Sequence, residues 1–221
     1  MQFTVSDHIF ESEKERNLYY KFFAGYFLNE LIPGIEERLS AFASLINSCS
    51  RRGLAASKQE ISLSSTTTHV SFDNHTYLFG SISPDRGEFA DILIQDKSSR
   101  TVIAIEAKVH SDWSFDKDIN SNERRLKTLQ DHMSGALFVP CLLVTRARWN
   151  ECERRESLEY SNYKRFKDEP TCRTIVLLWE ELVELVEDVA VKNFVNEQLA
   201  RRKTGFGYGF SDNWFFRHRR S

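Results

Sequence analysis

Asp91, Glu106 and Lys108 are the residues of this 221-residue chain whose types and spacing point to chemistry. They lie in one run, Phe89 to Lys108, reading Phe-Ala-Asp-Ile-Leu-Ile-Gln-Asp-Lys-Ser-Ser-Arg-Thr-Val-Ile-Ala-Ile-Glu-Ala-Lys. Two carboxylates held close repel one another unless a cation sits between them. Their oxygens suit Mg2+ or Mn2+ rather than zinc. An amine beside that pair would orient or deprotonate an attacking water, or steady a phosphate.

Strands must position these groups. Phe89–Gln95 and Arg100–Lys108 are β-rich runs around Asp96-Lys97-Ser98-Ser99, the pattern of a hairpin. A loop of two residues (Lys97, Ser98) or of four (Asp96 to Ser99) gives the same pairing, with Gln95 opposite Arg100 and Asp91 opposite Ala104. Residues directly opposed, or two apart on one strand, share a face. Asp91, Ala104, Glu106 and Lys108 then share one face, with Phe89, Leu93 and Val102 around them. Ala90, Ile92, Ile94, Ile103, Ile105 and Ala107 make the other face, which is wholly apolar. Asp91 and Glu106 become diagonal neighbours, roughly 7–8 Å apart at the backbone. The competing reading is a surface hairpin with an ordinary cross-strand ion pair.

An aspartate, a strand–turn–strand and then Glu-x-Lys resembles the PD-(D/E)XK nuclease superfamily, which has the restriction-endonuclease-like fold. The matching residues are Asp91 and Glu106-Ala107-Lys108, with Ala90 standing where the family's name puts proline. A literal Pro84-Asp85 reads as a turn in Ser83-Pro84-Asp85-Arg86-Gly87, which favours Asp91. The resemblance implies that Asp91, Glu106 and the Ala107 carbonyl hold Mg2+, with Mn2+ an alternative, and that Lys108 serves the nucleophile. It also implies an extra acid on a leading helix. Glu30, an ionisable group on an apolar stripe, is the first candidate, and Glu37 the second. Gln130 is the residue on the following helix that corresponds to a family glutamine near the metal or phosphate.

Along the chain, Ser12 to Leu31 reads as a helix with Ser12 and Glu15 as a capping box and Tyr19, Phe23, Tyr26, Phe27 and Leu31 on one stripe. Pro33-Gly34 breaks it, and a second helix runs from Ile35 to about Cys49. Ser57–Ser65 reads as loop or strand, and Thr66–Phe72 and Thr76–Ile82 as strands leading into the hairpin. Trp113 and Phe115, in the connector after Lys108, seal the edge of the core. A helix from about Asn122 to Ser134 carries Arg124, Arg125 and Lys127. Ala136–Thr145 is the most apolar run and reads as a buried parallel strand. Arg146 to Glu169 holds seven Lys or Arg against six acids. There Arg146 and Arg148 fall just past the buried strand, where substrate would lie. Arg173–Leu178 reads as a strand and Trp179 to about Arg202 as a helix.

The expected fold class is therefore α/β: a mixed central sheet flanked by helices, in one domain over 1–203 with its core at about 35–145. Residues 204–221 form a tail in which Phe206, Tyr208, Phe210, Trp214, Phe215 and Phe216 are set among glycines and followed by terminal arginines. Net charge is −2, which excludes a general polyanion binder and leaves local patches to attract nucleic acid. Cys49, Cys141, Cys152 and Cys172 have no zinc spacing. No signal peptide or membrane-spanning run is visible, so a cytoplasmic protein is expected. The expected function is Mg2+-dependent cleavage of DNA, in the style of prokaryotic or phage defence or repair enzymes, acting alone, as a homodimer or with a partner subunit. The alternatives are a silent nuclease-like module that binds nucleic acid, and a protein-interaction domain whose Asp–Glu–Lys trio is an ion pair.

Overall fold

The computed structural model describes residues 18, 22–29, 31–72, 77–78, 81–82, 90–109, 112–132 and 135–200. Glu30, the proposed Ser12 cap, Pro84-Asp85 and the tail at 204–221 lie outside the described residues. Helix α1 (Ile35–Ser48) buries Leu39, Phe42, Ala43 and Ile46 at helical spacing and sets Glu36 and Glu37 in its first turn, where the helix dipole favours acids. Gly34 precedes it at φ 81°, a left-handed conformation that costs glycine nothing.

The leading helix ends sooner than its apolar spacing predicts. Phe23–Phe27 form a π-helical turn that closes at Leu28. The Asn29 side chain then accepts the Leu31 N–H at 2.9 Å, and Leu31 is 91% exposed rather than on the buried stripe. Buried Arg38 pins this corner by donating to the carbonyls of Phe27, Asn29, Ile32 and Pro33.

The described residues then form seven strands: β1 (Thr68–Phe72), β2 (Tyr77–Leu78), β3 (Ser81–Ile82), β4 (Ile92–Asp96), β5 (Thr101–Ala107), β6 (Leu137–Val144) and β7 (Ile175–Leu178). Five of them make one mixed sheet in the order β1-β4-β5-β6-β7. β1–β4 and β4–β5 are antiparallel, while β5–β6 and β6–β7 are parallel. The predicted single strand over Thr76–Ile82 is instead β2 folded back on β3, apart from the main sheet. Gly80 falls between them in the sequence, and glycine weakens a continuous strand.

The β4–β5 register also differs from expectation. The ladder pairs Ile92 with Ile105, Leu93 with Ala104, Gln95 with Val102 and Asp96 with Thr101. Arg100 is part of the turn, at φ 51°. Asp96 is the cause. Fully buried at the end of β4, its carboxylate accepts Ser98 Oγ, Ser99 N and Ser99 Oγ from the turn, and Ser64 N, Thr67 Oγ1 and Thr68 Oγ1 from the approach to β1. Within the ladder every residue keeps its face, because the pairing moves by two. Continued by one residue, the ladder brings Asp91 level with Glu106 instead of Ala104.

Among the described residues five further helices follow: α2 (Ser121–His132), α3 (Arg146–Cys152), α4 (Tyr160–Asp168), α5 (Trp179–Glu184) and α6 (Val189–Ala200). The predicted continuous helix from Trp179 is broken because Asp188 Oδ1 accepts the N–H groups of Ala190 and Val191, starting a new helix there. On one face of the sheet α1, α5 and the π-helical turn pack on Ile92, Ile94, Ile103, Ile105, Cys141 and Leu177. On the other, α2 covers Leu93, Val102 and Ala104 through Leu126, and the connector and α3–α4 cover Leu142, Val144 and Val176. Ala90 packs on this second face, not with the isoleucines, since the chain bends at Asp91 and interrupts the alternation. Trp113 and Phe115 are buried, as expected. All four cysteines are free and buried, Cys49 and Cys141 on the α1 side, Cys152 and Cys172 on the other. Among the described residues no helix is long and apolar enough to cross a membrane.

Candidate active site

Glu106 is the one partly exposed residue in the otherwise buried β5, and it points to the α2 side of the sheet. Asp91 sits on the bend before β4, and its Oδ2 accepts the Ala107 N–H at 2.8 Å. That bond ties the first acid to the peptide between the second acid and the lysine. Lys108 lies one residue beyond β5, anchored by its own N–H on the Leu143 carbonyl of β6 at 2.8 Å. Its ammonium is 2.7 Å from Glu106 Oε1. So the sheet brings Asp91, Glu106 and Lys108 together at the end of β5, beside the parallel neighbour β6.

A third carboxylate joins them. Asp118 Oδ1 is 3.3 Å from the Lys108 ammonium. It belongs to a π-helical turn, Phe115–Asn120, that runs directly into α2. Ser114 N donates to Asp118 Oδ2 at 2.5 Å, and Asp118 N donates to the Ser114 carbonyl at 2.9 Å. The turn is seated by Phe115 and Ile119, and α4 holds it from outside. Asn162 accepts the Phe115 N–H at 3.0 Å, and Arg165 makes a two-pronged bond to Asp116 while covering the Phe115 ring. Nothing in the sequence marks Asp118, since the connector is polar and has no period.

The electrostatics are those of a crowded anionic site. Burial, then the Asp91 charge, pushes the Glu106 carboxyl up to about 7, against the opposing pull of Lys108. Burial alone would lower the Lys108 ammonium, but Glu106, then Asp118 and Asp91, hold it above its ordinary value. In the metal-free protein Lys108 is therefore a cation at neutral pH and a hydrogen-bond donor.

Two carboxylates and a peptide carbonyl fit a hard divalent ion such as Mg2+, which keeps several waters and takes only one or two protein carboxylates. Burial first and the Asp91 charge second raise Glu106, and a cation between the two acids would offset both. Among the described residues no group of three or more His, Cys, Asp or Glu side chains is arranged to hold a metal ion unaided.

The remaining candidates are spread out. Arg124 is exposed on α2, with its Nη2 3.3 Å from Ser121 Oγ, and Arg125 is half-buried beside it. Arg146 is exposed at the start of α3, where its N–H meets Glu180. Arg148 turns inward, 9% exposed, among Asp112, Glu151 and Glu159, so its charge is met inside the protein. Gln130 lies towards the far end of α2 and accepts from Arg173 at 2.8 Å. It lines a cavity of about 250 Å³ with Arg52, Gln59 and Arg173 at the opposite end of β6. Glu37 is exposed on α1. Asn122, on the first turn of α2, is buried under the Ala104 carbonyl, and its Oδ1 has no partner among the described residues. No protein-family model, curated protein or solved structure matches the chain.

Proposed function

We propose that the chain is a metal-dependent phosphodiester hydrolase acting on DNA, with a restriction-endonuclease-like core. One observation carries this: two carboxylates and an ammonium, from different strand ends, meet at one end of the sheet, with the Glu106 carboxyl pushed up by burial and then by the Asp91 charge. The order of elements supports it: a helix, an antiparallel set of strands, a crossover helix and a parallel strand.

Asp91, Glu106 and the Ala107 carbonyl would hold Mg2+ or Mn2+. When bound, the ion supplies the charge that offsets negative charge growing on the phosphoryl oxygens. Asp91 is oriented for its part by the Ala107 N–H. Lys108 donates hydrogen bonds from a fixed position, to a phosphate oxygen or to the attacking water, and lines that water up with the phosphorus. Arg124 and Arg146 lie on exposed surface where a phosphate backbone can rest, with Arg125 half-buried beside Arg124.

Incubating wild type with linear, circular and single-stranded DNA, in Mg2+ and in Mn2+, tests the proposal. Cleavage is expected, and Lys108→Ala should lower it by about a hundredfold or more. Equal activity in the two proteins removes Lys108 from the chemistry. One observation favours a second reading, a silent module that binds nucleic acid without cutting: Lys108 is already engaged by Glu106 and Asp118 in a closed ion cluster. Salt-sensitive DNA binding with no cleavage by wild type in either metal is the result that selects it.

A further inference from the structure

Lys108 has carboxylates on two sides. Glu106 reaches it from β5 and Asp118 from the connector, at 2.7 and 3.3 Å. A divalent ion taken up by Asp91 and Glu106 competes with the ammonium for the Glu106 oxygens, and two cations at such range repel. The ammonium must then find another acceptor or swing away from the substrate. Asp118 is built to receive it. Its Oδ2 is fixed by the Ser114 N–H, its Oδ1 faces Lys108, and the side chain is only 12% exposed, so water screens the contact weakly. The connector that carries it is locked to α4 by Asn162 and Arg165, so the acceptor does not drift.

Resting on the metal-dependent reading above, we propose that Asp118 is a positioning residue that takes the Lys108 ammonium over from Glu106 when Glu106 turns to a divalent cation. The lysine then stays beside the cation instead of contesting its ligand. Glu106 serves whichever positive charge is present, and Asp118 makes the exchange possible. Asp118 acts through Lys108 and touches neither the ion nor the substrate.

Mn2+ binding to the full chain, read by electron paramagnetic resonance with no substrate present, tests this in wild type, Asp118→Asn, Lys108→Met and the double variant. Asparagine keeps an amide oxygen for the Ser114 N–H, so the turn retains its anchor. Asp118→Asn is expected to weaken Mn2+ binding about tenfold, within the range of coupling between contacting groups. Asp118→Glu should recover most of that loss. In the Lys108→Met background, where no ammonium contests Glu106, Asp118→Asn should change the affinity by less than about twofold. Equal weakening in both backgrounds overturns the proposal, because Asp118 would then act on the ion directly. No weakening in either overturns it too. Absence of Mn2+ binding by wild type removes the metal-dependent reading itself, and the proposal with it, a result distinct from the other two. Should Asp118→Asn not fold, Asp118→Ser carries the same comparison, since its hydroxyl can accept the Ser114 N–H.

Discussion

At the scale of the residue, Glu106 makes the metal-free protein sensitive to pH in an unusual direction. Its folded carboxyl sits at about 7, above the ordinary value for glutamate near 4.3. Between those values the folded state holds a proton that the unfolded state has lost, so stability falls as pH rises through this window. Glu106→Gln abolishes that titration and leaves Asp118 to satisfy Lys108. The variant is expected to melt at a higher temperature than wild type at about pH 8, in the presence of a chelator, with the gap closing by about pH 5. A melting difference that does not change with pH would remove the buried-charge account of Glu106. Asp96 behaves in the opposite sense. Burial would raise its carboxyl, but Ser98, Ser99 and Thr67 hold it far below the usual carboxylate range. Its contribution is fully present above about pH 4, the ordinary aspartate value, and is lost as pH falls below it.

At the scale of the element, Asp96 decides how the central hairpin is threaded. It joins the β4–β5 turn to the entry of β1, two segments about thirty residues apart in the chain. Asp96→Ala removes the shared acceptor of several partly buried hydrogen bonds on both sides and is expected to cost about 3 kcal/mol in a urea titration. The same residue explains which part of the hairpin was legible beforehand. Alternation of isoleucines against Asp91, Leu93 and Glu106 gives the two faces, and faces survive a shift of two. The pairing itself depends on the Ser64 N–H and the hydroxyls of Thr67 and Thr68, which no local pattern ties to Asp96. Arg148 depends on distant partners in the same way. Its position after β6 suggested the substrate surface, but Asp112 and Glu159 claim it from distant segments. Asp118 was missed because its meaning comes only from Lys108 across the turn.

At the scale of the whole molecule, the sheet separates two apolar layers, and Glu106 opens on the side of α2 and α4 rather than α1. The α/β class, the parallel strand β6 and the burial of Trp113 were readable from apolar runs, because a strand buried on both faces has few other ways to be written. The breaks near Leu31 and Asp188 were not, since each rests on one short side chain taking over backbone N–H groups. Placing α4 beside the connector also gives the charged stretch after Arg146 a purpose: it braces the turn that holds Asp118.

The four interior cysteines make the protein its own unfolding clock. Burial raises each thiol above its ordinary value, Cys172 up to about 12, and an alkylating reagent needs both access and the thiolate. Iodoacetamide should leave all four unlabelled in the native state, and mass spectra taken over time would then show which layer opens first. Labelling of Cys152 and Cys172 ahead of Cys49 and Cys141 would mean that the half of the protein carrying Asp118 loosens while the other half stays closed, and simultaneous labelling would mean that the two halves come apart as one.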